Sequence, residues 1–176
     1  KVLDLGCGDG ALLNYLKEKK DIKGFGIEKN EKKWLLSLKN NIDVIQMDLE
    51  SGLAAFETKS FDLVILSRTI QSIKNIEEII HEMMRVGKEV VITFPNFGYW
   101  KNRLQIIQGY MPLSDELPYK WFDTPNMHLC TIQDFDNFCK HLKVNVDQRL
   151  ILTDKKSVNF YPNFFGALAL YKLFSK

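Results

Sequence analysis

The first ten residues contain the feature that most constrains how this chain can fold. A short apolar run at residues 2–5 ends at a turn with three glycines, Gly6, Gly8 and Gly10, and a helical pattern follows directly. Glycine has no Cβ and adopts positive φ at little cost, so such a turn lets the backbone approach a ligand closely. A strand, a glycine turn and a helix N-terminus in this order are typical of nucleotide-binding sites in open α/β sheets.

Two acidic residues flank this turn and indicate which nucleotide it binds. Asp4 lies in the predicted strand and Asp9 lies between the second and third glycines. Carboxylates would repel a pyrophosphate, whereas they would attract a ligand with an ammonium and a sulfonium group. We therefore expect S-adenosylmethionine rather than NAD. NAD is the main competitor, because residues 6–11 match the G-x-G-x-x-A fingerprint, but that motif does not account for the two acids or for Gly10.

Acidic residues also stand at the ends of the next two predicted strands. Glu28 ends the strand predicted at 22–28, where a carboxylate can accept hydrogen bonds from both ribose hydroxyls. Asp48 follows the strand predicted at 42–47, within reach of an adenine amino group and between two apolar residues that can sandwich the base. With their neighbours, the predicted cofactor-binding residues are Asp4, Gly6, Cys7, Gly8, Gly10, Glu28, Lys29, Met47, Asp48, Leu49 and Ser67.

Each acid also has a structural interpretation. Asp4 could accept hydrogen bonds from turn amides, since a buried acid needs a partner to offset desolvation. Asp9 could cap the first helix, and Asp48 could cap a short helix expected around residues 50–56. Glu28 alone would be unremarkable at the end of a strand. Four acids at the ends of the first three strands are hard to explain structurally, so the combination favours a binding site.

Strand and helix patterns alternate along most of the chain. Helices are predicted between the strands, with one ending near Gly87 and another beginning at Thr131, where Thr-x-x-Asp is close to a capping box. The last two predicted strands have no helix between them and should pair antiparallel. The predicted architecture is one α/β domain over residues 1–176, a doubly wound sheet with one antiparallel strand. The strands are predicted at residues 1–5, 22–28, 42–47, 61–67, 89–94, 144–152 and 166–174.

Residues 95–130, here called the aromatic insertion, interrupt this alternation. The insertion contains four of the five prolines and seven aromatic residues, and a helix is predicted over 97–108. Irregular segments of this length are usually functional or disordered, and the aromatic content argues against disorder. It follows a strand's carboxyl end, where ligands bind in open α/β sheets. We expect either a substrate cover or a docking surface.

Composition excludes several functional classes. The net charge of +2 is too small to predict nucleic-acid binding, and the apolar runs are too short to span a bilayer. The three cysteines are not spaced as in a disulfide framework, which favours a reduced, cytoplasmic setting.

His128 is the one evident general-base candidate in the aromatic insertion, although the pattern favours a hydrogen-bonded residue that fixes the entry to the helix beginning at Thr131. Zinc is a weak alternative for the His-x-Cys…Cys-x-His pattern of residues 128–141. Cys139 and His141 would diverge around one helix, so no metal site is predicted.

The motifs together resemble a known family. The glycine turn, the GIE ending at Glu28 and QMDLE at 46–50 are similar to the cofactor motifs of class I S-adenosylmethionine-dependent methyltransferases. More specific stretches resemble the MetW family of methionine biosynthesis over nearly the whole chain. These stretches are SRTIQSI (67–73), VITFPNFGYW (91–100), MPLS (111–114) and LPYKWFDTPNMHLCTIQDF (117–135).

The resemblance implies a Rossmann-like sheet of seven strands in the order 3-2-1-4-5-7-6, with the seventh strand antiparallel. It implies that Asp4 and the glycine turn hold the methionine part of the cofactor, Glu28 the ribose, and Asp48 with Met47 the adenine. MetW proteins are associated with methionine biosynthesis, often beside a homoserine O-acyltransferase (MetX-like). Two functions therefore stand: methyl transfer to a small acceptor, or an S-adenosylmethionine-sensing partner of that acyltransferase. The chain departs from the family pattern at Arg68, where glutamine is expected, and at Phe122, in place of tyrosine.

Overall fold

The computed structural model describes residues 1–174 as one mixed β-sheet with helices packed on its faces; the last two residues of the predicted domain, 175 and 176, lie outside the described part. The strands are β1 (Val2–Leu5), β2 (Gly24–Glu28), β3 (Asp43–Gln46), β4 (Phe61–Ser67), β5 (Gly87–Pro95), β6 (Asn145–Thr153), β7 (Lys156–Ser157) and β8 (Leu168–Phe174). The helices are α1 (Ala11–Lys20), α2 (Glu31–Lys39), α3 (Ile76–Val86), α4 (Trp100–Ile107), α5 (Ile132–His141) and α6 (Pro162–Phe165).

The strand order is β3-β2-β1-β4-β5-β8-β6-β7. Strands β1 to β5 are parallel, and β8 runs antiparallel between β5 and β6. The Rossmann-like α/β class, the order of the first five strands and the antiparallel strand are as predicted. The count of seven is wrong, because the turn after β6 folds back and residues 156–157 form an additional edge strand. Helix α6 follows β7, within the segment that connects β6 to β8.

Strand β1 is an interior strand next to the point where the strand order reverses, and this position determines where a ligand can bind. It pairs with β2 on one side and β4 on the other, and the connection from β1 to β2 runs in the opposite direction to the connection from β4 to β5. Asp4 faces Gly26 across one ladder and Ile65 across the other. The crevice outside this switch point is the usual ligand position in open α/β sheets.

The two faces of the sheet are covered unequally. The larger apolar cluster lies on the side of α3 and α5, where Phe94, Phe135 and Tyr171 pack with ring centroids 4.6 to 5.7 Å apart. A smaller cluster, which includes Leu13 and Ile42, lies under α1 and α2. Each face is therefore closed by helices, as the apolar strands require. No helix within residues 1–174 is long and apolar enough to cross a membrane.

Several boundaries differ from the sequence-based expectations. The helix predicted at 97–108 begins later, at Trp100, and the short helix expected at 50–56 is one 3-10 turn, Leu49–Ser51. Helix α5 begins as predicted, with a complete capping box between Thr131 and Asp134. Gly87 ends α3, but in an extended conformation that starts β5. Glycine is needed there because a Cβ would lie 2.7 Å from Val64.

Asn96 anchors the start of the aromatic insertion. It is fully buried directly after β5, and its Nδ2 donates to the carbonyls of Gly166 at 2.7 Å and Asn163 at 3.1 Å. Its Oδ1 accepts from the amides of Gly98 at 3.0 Å and Ile132 at 3.3 Å. One side chain thus ties the insertion, α5 and the α6 turn together at the carboxyl edge of the sheet.

We expect Asn96→Ala to lower the free energy of unfolding by about 3 kcal/mol, because it leaves several buried donors and acceptors unpaired. Urea unfolding monitored by circular dichroism would measure the change. Asn137→Ala, at an exposed position on α5, is the matched control and should change stability by no more than about 0.5 kcal/mol. Equal effects of the two substitutions would contradict the anchoring role.

Candidate functional site

The glycine turn, residues 6–10, uses its three glycines differently. All three have positive φ, between +63° and +79°. A Cβ on Gly6 would meet Thr69 at 2.7 Å, and a Cβ on Gly10 would meet Ile42 at 2.7 Å. Both positions require glycine because the neighbouring side chains leave no room for a Cβ. Gly8 has no atom within 4 Å of the place where its Cβ would be. The middle of the turn therefore presents bare backbone to open space, which suits a ligand.

Helix α2 holds the turn through two side chains that the sequence analysis missed. Ser37, fully buried, donates from Oγ to the carbonyl of Gly8 at 2.9 Å, and Asn40 donates from Nδ2 to the carbonyl of Asp9 at 2.9 Å. With two carbonyls fixed, the peptide planes of the turn are fixed as well. The sequence does show a serine within the apolar stretch of α2, but its hydrogen-bond partner, the carbonyl of Gly8, lies 29 residues away along the chain.

Asp4 is the most unusual charged group of the site. Its side chain is 2% exposed, and Oδ1 has no hydrogen-bond partner among the described residues. Burial, with a smaller contribution from the charge of Glu28, raises the pKa of Asp4 to about 7. The structural interpretation, in which Asp4 serves the turn amides, is wrong, because no turn amide donates to Oδ1. A buried acid without a partner is costly, and such acids are frequent at functional sites.

Glu28, rather than Asp4, accepts a hydrogen bond from an amide of the glycine turn. It ends β2 with 8% exposure, and its Oε2 accepts from the amide of Gly8 at 2.9 Å. Its Oε1 accepts from the amide of Asn30 at 2.7 Å. The carboxylate thus supports the glycine turn and the start of α2 together, and each oxygen keeps a second lone pair that can accept from a ligand hydroxyl.

The remaining turn residues are structural in this arrangement. Asp9 is exposed, and its Oδ1 accepts from the amide of Ala11 at 3.2 Å, so it supports the start of α1 although Gly10 occupies the N-cap position. Cys7 is buried, and its Sγ lies 3.9 Å from Ser37 Oγ and packs where a Cβ on Gly26 would be. Burial raises the pKa of this thiol to about 11, so it is not a reactive thiolate.

Lys29 and Asp48 form an ion pair beside Glu28. Lys29 Nζ lies 2.5 Å from Asp48 Oδ2, and this contact is the largest cause of a lowered Asp48 pKa. Asp48 Oδ1 also accepts from the amide of Glu50 at 3.1 Å, so the capping interpretation of Asp48 is correct for a 3-10 turn. Met47 and Leu49 are half-buried on either side of it. The carboxylate is exposed enough to accept from a ligand at the same time.

The end of β4 closes the site on the other side. Ser67 Oγ lies 3.1 Å from Thr93 Oγ1 on β5, and Thr69 donates from Oγ1 to the carbonyl of Ser67 at 2.9 Å. Thr69 is also the side chain that packs on Gly6. Arg68, in a left-handed conformation with φ of 51°, forms an ion pair with Glu116 of the aromatic insertion at 2.8 Å.

His128 does not join this group. It is exposed, and its backbone amide donates to the carbonyl of Gln71 at 3.0 Å, which agrees with the positional interpretation. Its side chain lines a separate cavity between β5 and α5. Within residues 1–174, His, Cys, Asp and Glu side chains form no group of three that could hold a metal ion. Cys139 is buried and His141 exposed on α5, so the two diverge.

The geometry suits a cationic ligand with hydroxyl groups. Asp4 supplies an unpaired buried carboxylate, Gly8 supplies open backbone, and Glu28 and Asp48 supply acceptors in line along the ends of β2 and β3. An ammonium or sulfonium near Asp4 would favour its ionised form and offset its desolvation. The residues present therefore fit the ammonium, ribose and adenine groups of S-adenosylmethionine.

Solved structures share this fold. A SAM-dependent methyltransferase from Thermotoga maritima, described as a possible histamine N-methyltransferase, matches with a TM-score of 0.72 at 18% identity, covering 100% of this chain and 82% of that one. The plantazolicin methyltransferase BpumL, solved in complex with SAH, matches with a TM-score of 0.71 at 16% identity, covering 99% of this chain and 76% of that one. At these identities the likeness establishes the fold alone.

Sequence relatives are more specific. A bifunctional methionine biosynthesis protein MetXA/MetW from Rhodopirellula baltica is 36% identical over 159 residues, which cover 85% of this chain and 26% of the relative. The chain therefore spans about a quarter of that protein's length. The family model described as methionine biosynthesis protein MetW matches residues 1–173. On this evidence the chain belongs to the MetW family of methionine biosynthesis proteins.

Proposed function

We propose that this chain binds S-adenosylmethionine at the carboxyl ends of β1, β2 and β3 and transfers its methyl group to a small acceptor. The observation that carries the proposal is Asp4, a buried carboxyl without a partner beneath a glycine turn whose middle residue is open. Asp4 would face the ammonium of the methionine part. Glu28 would accept from the ribose hydroxyls, and Asp48 from the adenine amino group between Met47 and Leu49.

NAD fits the same residues less well. Its pyrophosphate would sit on the glycine turn, where the Glu28 carboxylate repels an anion and where an anion would oppose ionisation of the buried Asp4 carboxyl. A cation is attracted at the same place. The solved structures with this fold, described above, are named as methyltransferases, which supports the same choice.

Methyl transfer requires little from the protein beyond position. The acceptor's nucleophilic atom must lie in line with the methyl–sulfur bond, and holding two reactants in this geometry supplies much of the rate enhancement. The proposal therefore does not depend on a general base, and His128 lies at a separate cavity.

Calorimetric titration at pH 8 tests the cofactor site. We expect S-adenosylmethionine to bind and NADH not to bind, and we expect Asp4→Asn and Glu28→Gln each to weaken binding by at least tenfold, since a charged hydrogen bond contributes about 1.5–3 kcal/mol. Asp123→Asn, an exposed acid in the insertion, is the matched control and should bind as the wild type does. Unchanged affinity in both site variants would contradict the proposed site.

The raised pKa of Asp4 gives a prediction that needs no ligand. The folded state holds the Asp4 proton up to a pKa of about 7, whereas the unfolded chain loses it at an ordinary pKa, so this group lowers stability as pH rises between these values. Asp4→Asn removes the effect. The difference in unfolding free energy, Asp4→Asn minus wild type, should therefore increase by roughly 4 kcal/mol from pH 4 to pH 8. Urea unfolding at both pH values measures it, and a constant difference would contradict a buried, protonated Asp4.

A second function is favoured by the fusion in the Rhodopirellula baltica protein, whose name pairs MetXA with MetW. We propose as the alternative that this chain senses S-adenosylmethionine and docks on a homoserine O-acyltransferase. The aromatic insertion suits docking, because it exposes large apolar side chains to an unusual extent. Trp121 is 72% exposed, Phe122 66%, Tyr110 69% and Ile107 79%. Exposed apolar groups of this size commonly mark interaction sites.

Co-purification with a homoserine O-acyltransferase tests this alternative. We expect Trp121→Ala to reduce capture of the enzyme at least tenfold, because exposed tryptophans are frequent anchors at interfaces. Tyr15→Ala is the control, since Tyr15 is 58% exposed on α1. Turnover of S-adenosylmethionine by the isolated chain, with no capture of the enzyme, would overturn the docking function and support methyl transfer.

A further inference from the structure

A second cavity, outside the proposed cofactor site, lies between the end of β5 and helix α5. Its volume is about 280 Å³, and none of the predicted cofactor-binding residues lines it. The walls are mainly apolar and include Ile70, Ile76, Phe94 and Phe138. His128 lies at its exposed rim. This cavity has the composition of a small-molecule site, apolar with a few polar groups.

Backbone hydrogen bonds hold one wall of the cavity in place without a ligand. Residues 128–130 cover it, and their position is fixed because the amides of Met127 and His128 both donate to the carbonyl of Gln71, at 2.8 and 3.0 Å. The carbonyl of Cys130 accepts from the amide of Phe97 at 3.0 Å. Both ends of this cover are thus held, so the space between it and the sheet is defined by the fold.

Gln71 supplies the polar group that sets the ligand's chemistry. Its Nε2 donates to the carbonyl of Arg68 at 2.9 Å, which fixes the orientation of the amide. Its Oε1 is buried and has no hydrogen-bond partner among the described residues. A buried acceptor without a donor costs free energy, and a ligand N–H or O–H that displaces the side chains closing Oε1 off from the cavity would remove that cost.

The volume bounds the size of the ligand. An apolar cavity of about 150 Å³ is large enough to bind benzene, so 280 Å³ admits a molecule of about two fused rings or a branched chain of similar size. We infer that this cavity binds a small, largely apolar molecule that donates one N–H or O–H hydrogen bond to Gln71. The inference goes beyond the proposed function and does not rest on it.

The cavity is connected to the glycine turn through a few residues. Ile70 and Gln71 line the cavity, and the preceding Thr69 packs on Gly6. A ligand in the cavity would therefore contact the same 3-10 turn, Ile70–Ser72, that follows the cofactor-side residues of β4.

Indole and benzofuran form the matched pair of probes. The two are nearly identical in shape, but indole carries an N–H donor where benzofuran has an oxygen. Binding to the purified chain is measured by ligand-observed NMR titration, for the wild type and three variants. Gln71→Leu removes the acceptor, Ile76→Trp fills the cavity, and Gln108→Leu, at an exposed position, is the matched glutamine control.

We expect the wild type to bind indole more tightly than benzofuran by about five- to tenfold, the contribution of one hydrogen bond. Gln71→Leu should abolish this preference, Ile76→Trp should weaken both probes at least tenfold, and Gln108→Leu should match the wild type. The inference is overturned if neither probe binds the wild type, if both bind equally, or if Ile76→Trp leaves binding unchanged. Because S-adenosylmethionine is titrated separately, failure here is distinguishable from failure of the cofactor site.

Discussion

The arrangement of the site depends on a carboxyl group placed in the middle of a buried strand. Asp4 lies on β1, an interior strand, where its side chain is 2% exposed and no described residue donates to its Oδ1. Such a residue destabilises the apo fold once it is ionised. The cost is tolerated where a strong packing scaffold surrounds it, and here the scaffold is a sheet covered by apolar helices on both faces.

Around that carboxyl, the other groups of the site are held by partners distant in sequence. Glu28 fixes the amide of Gly8, Ser37 fixes its carbonyl, and Thr69 packs on Gly6. The turn is therefore clamped by β2, α2 and the segment after β4. A rigid turn loses little entropy when a ligand binds, which favours affinity. The same clamping explains why Glu28 combines a structural role with a proposed ligand role.

One buried side-chain amide, that of Asn96, holds the start of the aromatic insertion in place. Asn96 connects the insertion to α5 and to the α6 turn, and Arg68 forms an ion pair with Glu116 of the insertion. Within these anchors the insertion covers an apolar cavity and still exposes Trp121 and Phe122. Its inner side thus suits a small ligand, and its outer side suits a protein. The cavity ligand and a docking partner can therefore use the same segment without competing for the same residues.

The sequence by itself determined the strand and helix alternation, the antiparallel pairing near the C-terminus and the capping box at Thr131, because these depend on local pattern and on neighbours close along the chain. It also located the glycine turn and the acids beside it. Only the tertiary structure decided which acid supports the turn, Glu28 rather than Asp4, and only there do Ser37 and Gln71 acquire their roles. The physical reason is that burial and hydrogen bonding of a polar group depend on atoms brought near by strand order, here from residues 20 and 29 positions away. The edge strand β7 was missed for a related reason, since two residues carry no periodicity and pair only because β6 already stands beside them.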